Sequence, residues 1–286
     1  MTGTGKEMIG LVGAGRMGLA MLKHLAKHGY GVTVCDISQA QCELAKAAGA
    51  SIASSPAELG RSCSFVIIGV GFDDEVRAVM TGADGLLAAM QPGGVIAISS
   101  TASPETVKGM DEAARANGLD VYDAPIARGR WAADNGTLLA LVGGRPEVVA
   151  RAAPVYSCFC SDIVHLGDVG HGQVGKTMNN LMLWISAVGL IEAGRLAETT
   201  GISLPKLREA LQMSSGRTAA LEDWDGITFT WALKDMQIVA EMADKAGLSL
   251  PLCGAIKEMV KEARRVKASN PPDWTGRPAM SYEAKG

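Results

Sequence analysis

The sequence predicts an α/β fold, a doubly wound parallel sheet, followed by an all-α C-terminal domain. Three observations carry that expectation. Short β-rich apolar runs alternate with helix-length stretches through the first half. A glycine-rich turn directly follows the first run. From Gly170 onward strand-like runs vanish, and Ala, Leu, Met, Glu and Lys take over.

In chain order, residues 8–12, 32–36, 65–70 and 95–99 read as strands, with further strands near Val121 and at 138–142. Parallel strands spaced this way need crossover connections, and right-handed crossovers place helices on both faces of the sheet. Gln91-Pro92-Gly93-Gly94 and Gly143-Gly144 supply the turns. A glycine-rich junction at 167–172 leads into a long helix over 173–200, then helices near 205–213, 230–246 and 251–267. Two domains follow, 1–167 and 168–286. The polar stretch 1–7 carries no apolar signal segment and reads as a tail, and the stretch after Asn270, with Pro271, Pro272 and Pro278, reads as irregular.

Composition narrows the function classes. The 286 residues carry a formal net charge of -3, so no basic surplus exists to neutralise nucleic-acid phosphates. The longest apolar stretch, 181–191, is broken by Ser186 and Gly189 and is shorter than the about 20 residues of a membrane span, so no membrane partner is expected. Six scattered cysteines without paired ligand spacing suit free thiols in a reducing cytoplasm. Cys158, Cys160 and His165 lie close in sequence, but their spacing fits no metal motif, and no metal is expected.

Gly13-Ala14-Gly15-Arg16-Met17-Gly18 lies between a strand and a helix, where the pattern has a mechanical meaning. The first glycine permits the tight turn, the second lets a pyrophosphate approach the backbone, and the third packs the helix against the strand. The exposed N–H groups of the helix start then favour an anion. The first domain is therefore expected to be Rossmann-like. Asp36, at the end of the second strand and eighteen positions after Gly18, is placed to accept hydrogen bonds from ribose hydroxyls; its bland reading is a strand-end turn residue. Ile37 and Ser38 follow it, so no cation awaits a 2'-phosphate, and NAD is expected over NADP.

On these residues and three further motifs the chain resembles the β-hydroxyacid dehydrogenase family, typified by 3-hydroxyisobutyrate dehydrogenase. The further motifs are Ser99-Ser100-Thr101-Ala102-Ser103-Pro104, Asp123-Ala124-Pro125 through Gly136-Thr137-Leu138, and Gly170-His171-Gly172 with Lys176 and Asn180. The resemblance implies a 6-phosphogluconate dehydrogenase-like helical C-terminal domain, a homo-oligomer (dimer or tetramer), and a small anionic substrate. It implies a catalytic Lys176 with Asn180 orienting the substrate, and Val70, Gly71, Thr101 and Lys234 joining residues 13–18 and Asp36 at the cofactor. It places Ser100, Ala127, Arg128, Gly129 and Asn179 at the substrate. The residues support the chemistry independently: Lys176 and Asn180 are i and i+4 on a helix face, and hydride transfer at carbon needs a matched proton transfer at oxygen. Taken singly, Lys176 reads as a solvated helix lysine and Asn180 as a polar-face residue.

Three departures from the family pattern stand out. Ala127-Arg128-Gly129 replaces the usual Ser-Gly-Gly, Ile98 stands where an acid is common, and Gly69-Val70-Gly71 replaces Met-Leu-Pro. The guanidinium of Arg128 resembles the sulfolactaldehyde reductase branch, where an arginine meets a sulfonate, and Asn179-Asn180 is similar to that branch too. Arg128 and Arg130 also read as solvated or as phosphate contacts, and Trp131 as pocket wall or packing residue. The expected activity is hydride transfer between NAD and the alcohol or carbonyl of a β-hydroxy acid or related anion. Imine reduction and a non-catalytic nucleotide-binding scaffold are the alternatives.

Overall fold

A computed structural model describes residues 6–269 and 271–276; the rest of the two expected tails lies outside the described residues. Contacts divide the chain into two compact units, residues 1–176 and 177–286.

In the first unit β1 (Ile9–Val12), α1 (Arg16–Lys27), β2 (Val32–Cys35), α2 (Gln39–Ala47), β3 (Ser51–Ile52) and α3 (Pro56–Ser62) come first. They are followed by β4 (Phe65–Ile68), α4 (Asp73–Thr81), β5 (Val95–Ile98), α5 (Pro104–Arg115) and β6 (Asp120–Asp123). These six strands are parallel in the order β3-β2-β1-β4-β5-β6. The chain reverses its direction of travel between β1 and β4, so the carboxyl ends of these two strands form the crevice where open α/β sheets hold ligands.

The strand sequences read as unbroken apolar runs because both faces of the sheet are covered. Alternate residues divide cleanly between two cores. Ile9, Leu11, Val34, Phe65, Ile67, Val95 and Ala97 point to one. Val12, Val66, Ile68, Ile96, Ile98 and Val121 point to the other. Each core is thus one face of the pleat, closed by helices.

Beyond β6 the chain adds β7 (Ile126–Ala127), α6 (Gly129–Asn135), β8 (Leu138–Gly143), α7 (Pro146–Tyr156), β9 (Cys160–Gly167) and α8 (His171–Glu198). β8 runs antiparallel to β6 and β7, while β9 pairs parallel with β8. The sequence patterns do not reveal β3, β7 or β9. The first two span two residues each, and β9 is largely exposed, with Cys160 its fully buried side chain, so no apolar alternation marks it. His165 within β9 bonds through Nε2 to the carbonyl oxygens of Gly144 at 2.8 Å and Gly167 at 2.9 Å.

The division at Lys176 falls nine residues beyond the expected boundary at Gly167 because the first turns of α8 are tied to the sheet by Asp123. The second unit continues α8 and adds α9 (Leu204–Gln212), α10 (Ala219–Glu222), a 3-10 turn (Trp224–Gly226), α11 (Ala232–Ala246) and α12 (Pro251–Ser269). Its core joins Trp184, Val188 and Ile191 of α8 to Leu221, Trp224, Phe229, Met236, Val239, Ile256 and Val260. The irregular stretch after α12 is anchored there: Trp274 is fully buried and donates Nε1–H to the Leu190 carbonyl at 3.1 Å. By length and composition the 28-residue α8 qualifies as a membrane span. Trp184, Ala187, Val188, Leu190 and Ile191 of this helix lie in the second unit's own core.

Candidate active site

The glycine loop turns between β1 and α1 under tight steric limits. Gly13 is left-handed at φ +94, and a Cβ there would lie 2.5 Å from the Gly69 carbonyl oxygen. A Cβ at Gly18 would run into the Gly13 carbonyl oxygen. At Gly15 the same atom would meet nothing within 4 Å, so open space lies over the backbone that starts α1. That helix has no side-chain cap and no acidic residue in its first turn, which leaves its N–H groups and dipole to an anion. These residues fit the pyrophosphate of a nicotinamide dinucleotide. Arg16 instead turns its guanidinium to Asp134 of α6, and Met17 packs partly buried on the core.

Asp36 closes the loop from the end of β2. Its Oδ2 accepts from Ala14 N–H at 2.6 Å and its Oδ1 from Ser38 N–H at 2.8 Å. A carboxylate offers about four lone-pair sites, so two remain for ribose hydroxyls. Ile37 is fully exposed beside it.

Two loops form the rest of this edge. The Val70 N–H donates to Ser100 Oγ at 2.8 Å, so the buried Ser100 hydroxyl joins the ends of β4 and β5. Gly71 N–H and Phe72 N–H both donate to Glu75 Oε2, at 2.7 and 3.0 Å, which caps α4. Thr101 is half-buried between Ser100 and Ala102, both held by Gln173.

Gln173 is fully buried one turn before Lys176 on α8. Its Nε2 donates to the Ser100 carbonyl at 2.8 Å, and its Oε1 accepts from Ala102 N–H at 3.0 Å. Beneath it, Asp123 at the end of β6 accepts Gly170 N–H on Oδ1 and Gln173 N–H on Oδ2, both at 2.7 Å. Burial pushes this carboxyl up to about 6, against the lowering effect of those backbone bonds and of nearby His171. Only glycines admit the contact. A Cβ at Gly143 would lie 2.6 Å from Asp123 Oδ1, and one at Gly172 would lie 2.7 Å from Oδ2. Lys176 is half-buried on this clamped segment, in the same unit as the glycine loop.

Known proteins with this arrangement decide the family. A model described as the NAD binding domain of 6-phosphogluconate dehydrogenase matches residues 8–167. Another, described as NAD-binding of NADP-dependent 3-hydroxyisobutyrate dehydrogenase, matches 170–273. The NAD-dependent L-serine dehydrogenase of Pseudomonas aeruginosa is 35% identical over 224 residues, 77% of this chain and 75% of the relative. This chain belongs to the β-hydroxyacid dehydrogenase family.

Other members extend the likeness. Mouse mitochondrial 3-hydroxyisobutyrate dehydrogenase is 36% identical over 212 residues, 74% of this chain; the match spans 63% of the mouse protein's length. The solved structure of Mycobacterium tuberculosis 3-hydroxyisobutyrate dehydrogenase with L-serine superposes with a TM-score of 0.82 at 25% identity, covering 94% of this chain and 97% of that one.

Where the chain departs from the β-hydroxyacid dehydrogenase pattern, Ala127 is buried in β7 and Arg128 and Gly129 are successive left-handed residues, at φ +83 and +71. The Arg128 Nη1 donates to Asp162 Oδ2 at 2.5 Å, Ser161 Oγ at 2.9 Å and the Thr137 carbonyl at 3.2 Å. Its guanidinium is therefore held by the start of β9. In the second unit, Asn179 Nδ2 donates to Oδ1 of the buried Asn180 at 3.0 Å. Lys234 Nζ lies 5.8 Å from the centre of the Trp231 ring, and the buried Asp235 accepts from Trp184 Nε1 at 2.9 Å.

Sequence reasoning missed Asp123 as a clamp and Gln173 altogether. Two signals were present. Asp123 ends a strand on the same sheet edge as Asp36, and Gln173 is i-3 from Lys176, hence on its face of the helix.

Proposed function

We propose that this chain is an NAD-dependent dehydrogenase that interconverts a primary alcohol and an aldehyde on a short β-hydroxy acid, with Lys176 handling the proton. What carries the reading is that the segment bearing Lys176 is bonded, through Gln173, to the loop Ser100–Ala102 beside the nucleotide edge. The relatives' names include 3-hydroxyisobutyrate and L-serine dehydrogenases. Both compounds share the pattern HOCH2–CH(R)–COO⁻, so the proposed substrate class is that pattern with R left open.

Residues 13–18 would hold the pyrophosphate and Asp36 the adenosine ribose, where its charge repels a 2'-phosphate and favours NAD. A bound nicotinamide would supply the hydride acceptor for oxidation of the alcohol carbon and the hydride donor for the reverse reaction. Lys176 takes the hydroxyl proton in oxidation and returns it in reduction, and Asn180 one turn on offers an amide to hold the same oxygen. A sulfonate in place of the carboxylate is the second reading. It is favoured by Arg128, which keeps a guanidinium at a left-handed position costing about 1 kcal/mol, and it requires that guanidinium to exchange Asp162 for substrate.

The test is NADH formation with 3-hydroxyisobutyrate, L-serine and a hydroxy-sulfonate, each with NAD and with NADP. Turnover is expected on a HOCH2–CH(R)–COO⁻ acid with NAD, and Lys176→Ala is expected to lower kcat about 10²- to 10⁴-fold with NADH binding near normal. Full turnover in that variant removes Lys176 from the mechanism.

A further inference from the structure

Two buried polar side chains beside the proposed site take no direct part in the chemistry described above. Asp123 sits under the first turn of α8 and gives each carboxylate oxygen to a different backbone N–H of that turn. Those N–H groups, with no partner inside the helix, would otherwise be buried and unsatisfied, and a negative charge at this end also meets the positive end of the helix dipole. Glycines at 143 and 172 remove the side chains that would hold the carboxylate away. The turn is therefore seated from below by bonds of one geometry.

Gln173 fixes the same turn from the other side. Its amide is both donor and acceptor to the Ser100–Ala102 loop, whose start is joined to Val70 through the Ser100 hydroxyl. A helix start carrying two backbone bonds to Asp123 and two side-chain bonds to the loop has little freedom to slide or rotate. Lys176 follows Gln173 by three residues, so any shift of this turn is passed directly to its Cα.

We propose that Asp123 and Gln173 are positioning residues for Lys176: the carboxylate seats the first turn of α8, and the glutamine amide ties that turn to the loop beside the nucleotide edge. The proposal rests on the reading of Lys176 as the proton-transfer group. Neither side chain needs to touch substrate or cofactor. Their effect is on the geometry of proton transfer, where a misplacement of about 1 Å costs about 10²-fold in rate.

The experiment compares Gln173→Met, close in length and without hydrogen bonds, and Asp123→Asn, close in shape but able to accept only one of the two N–H bonds. The probe is NAD with whichever of 3-hydroxyisobutyrate and L-serine turns over faster, and each variant is also measured for NADH affinity, melting temperature and the solvent deuterium isotope effect on kcat. Expected for Gln173→Met is a kcat lower by about 10- to 100-fold, KM and NADH affinity within about threefold, and a larger isotope effect as proton transfer becomes limiting. Faster amide exchange at Ala102 is expected in the same variant, and faster exchange at Gly170 and Gln173 in Asp123→Asn. Should Asp123→Asn fail to fold, Gln173→Met decides alone. The proposal is overturned if Gln173→Met folds and keeps wild-type kcat, or if kcat falls only in step with NADH affinity and stability. If Lys176→Ala keeps full turnover, the functional reading fails instead, and the amide-exchange result still reports whether the clamp exists.

Discussion

Asp123 illustrates how one buried carboxyl links structure to pH. Its folded value of about 6 lies above the ordinary 3.8 because burial penalises the charge. Between those two values the folded protein holds a proton that the unfolded chain has lost. Its stabilising contribution is therefore complete below about pH 3.8 and is lost as pH rises through about 6, an effect of at most about 3 kcal/mol. Urea unfolding of wild type and Asp123→Asn at pH 4 and pH 6.5 checks this: wild type is expected to lose stability relative to the variant on going up in pH. A constant difference between the two proteins across that range contradicts the assignment. Asp36 shows what was legible at this scale: its place after the second strand puts a carboxylate beside the glycine loop, where it accepts the Ala14 N–H. Arg128 shows the reverse: a sequence displays a cation, but not that Asp162 and Ser161 hold it.

At the scale of elements, the glycine loop and α1 follow rules that are local and therefore readable. Gly18 lets the helix pass so close to the turn that an added methyl group meets the Gly13 carbonyl oxygen. Gly18→Ala must displace the loop. It is expected to destabilise by about 1–3 kcal/mol and to weaken NADH binding by at least about tenfold, because the N–H groups of α1 lose their aim. Unfolding and fluorescence titration measure the two effects, and unchanged affinity would show that the loop does not hold the nucleotide. The long helix was also readable from its composition, starting two residues earlier than expected. By contrast β9 was not, since an exposed edge strand carries no buried alternation and its existence depends on β8 lying beside it.

For the molecule as a whole, two separately packed units explain why the chain reads as two compositions. The core of the second unit includes a polar contact, Trp184 Nε1 to Asp235 Oδ2, beside the Trp184–Phe229 ring contact at 5.5 Å. Trp184→Phe keeps an aromatic ring but removes that N–H from a buried carboxylate, which costs about 1–3 kcal/mol. The loss is expected in the second unit, with NADH affinity changed by less than about threefold, because the glycine loop proposed to hold the nucleotide belongs to the first. Thermal unfolding with and without NADH reads both, and a large fall in affinity would count against this separation.

Strand and helix periodicity, the glycines of the turn between β1 and α1, the place of Asp36 and the spacing of Lys176 and Asn180 came from the amino-acid order itself, because each obeys a rule acting over a few residues or one βα unit. Folding in three dimensions alone selected the partners of Asp123, 47 and 50 positions away, and of Gln173, 71 and 73 positions away. Buried hydrogen bonds are chosen by proximity after the sheet and helices have packed, and no periodic pattern along the chain records that choice.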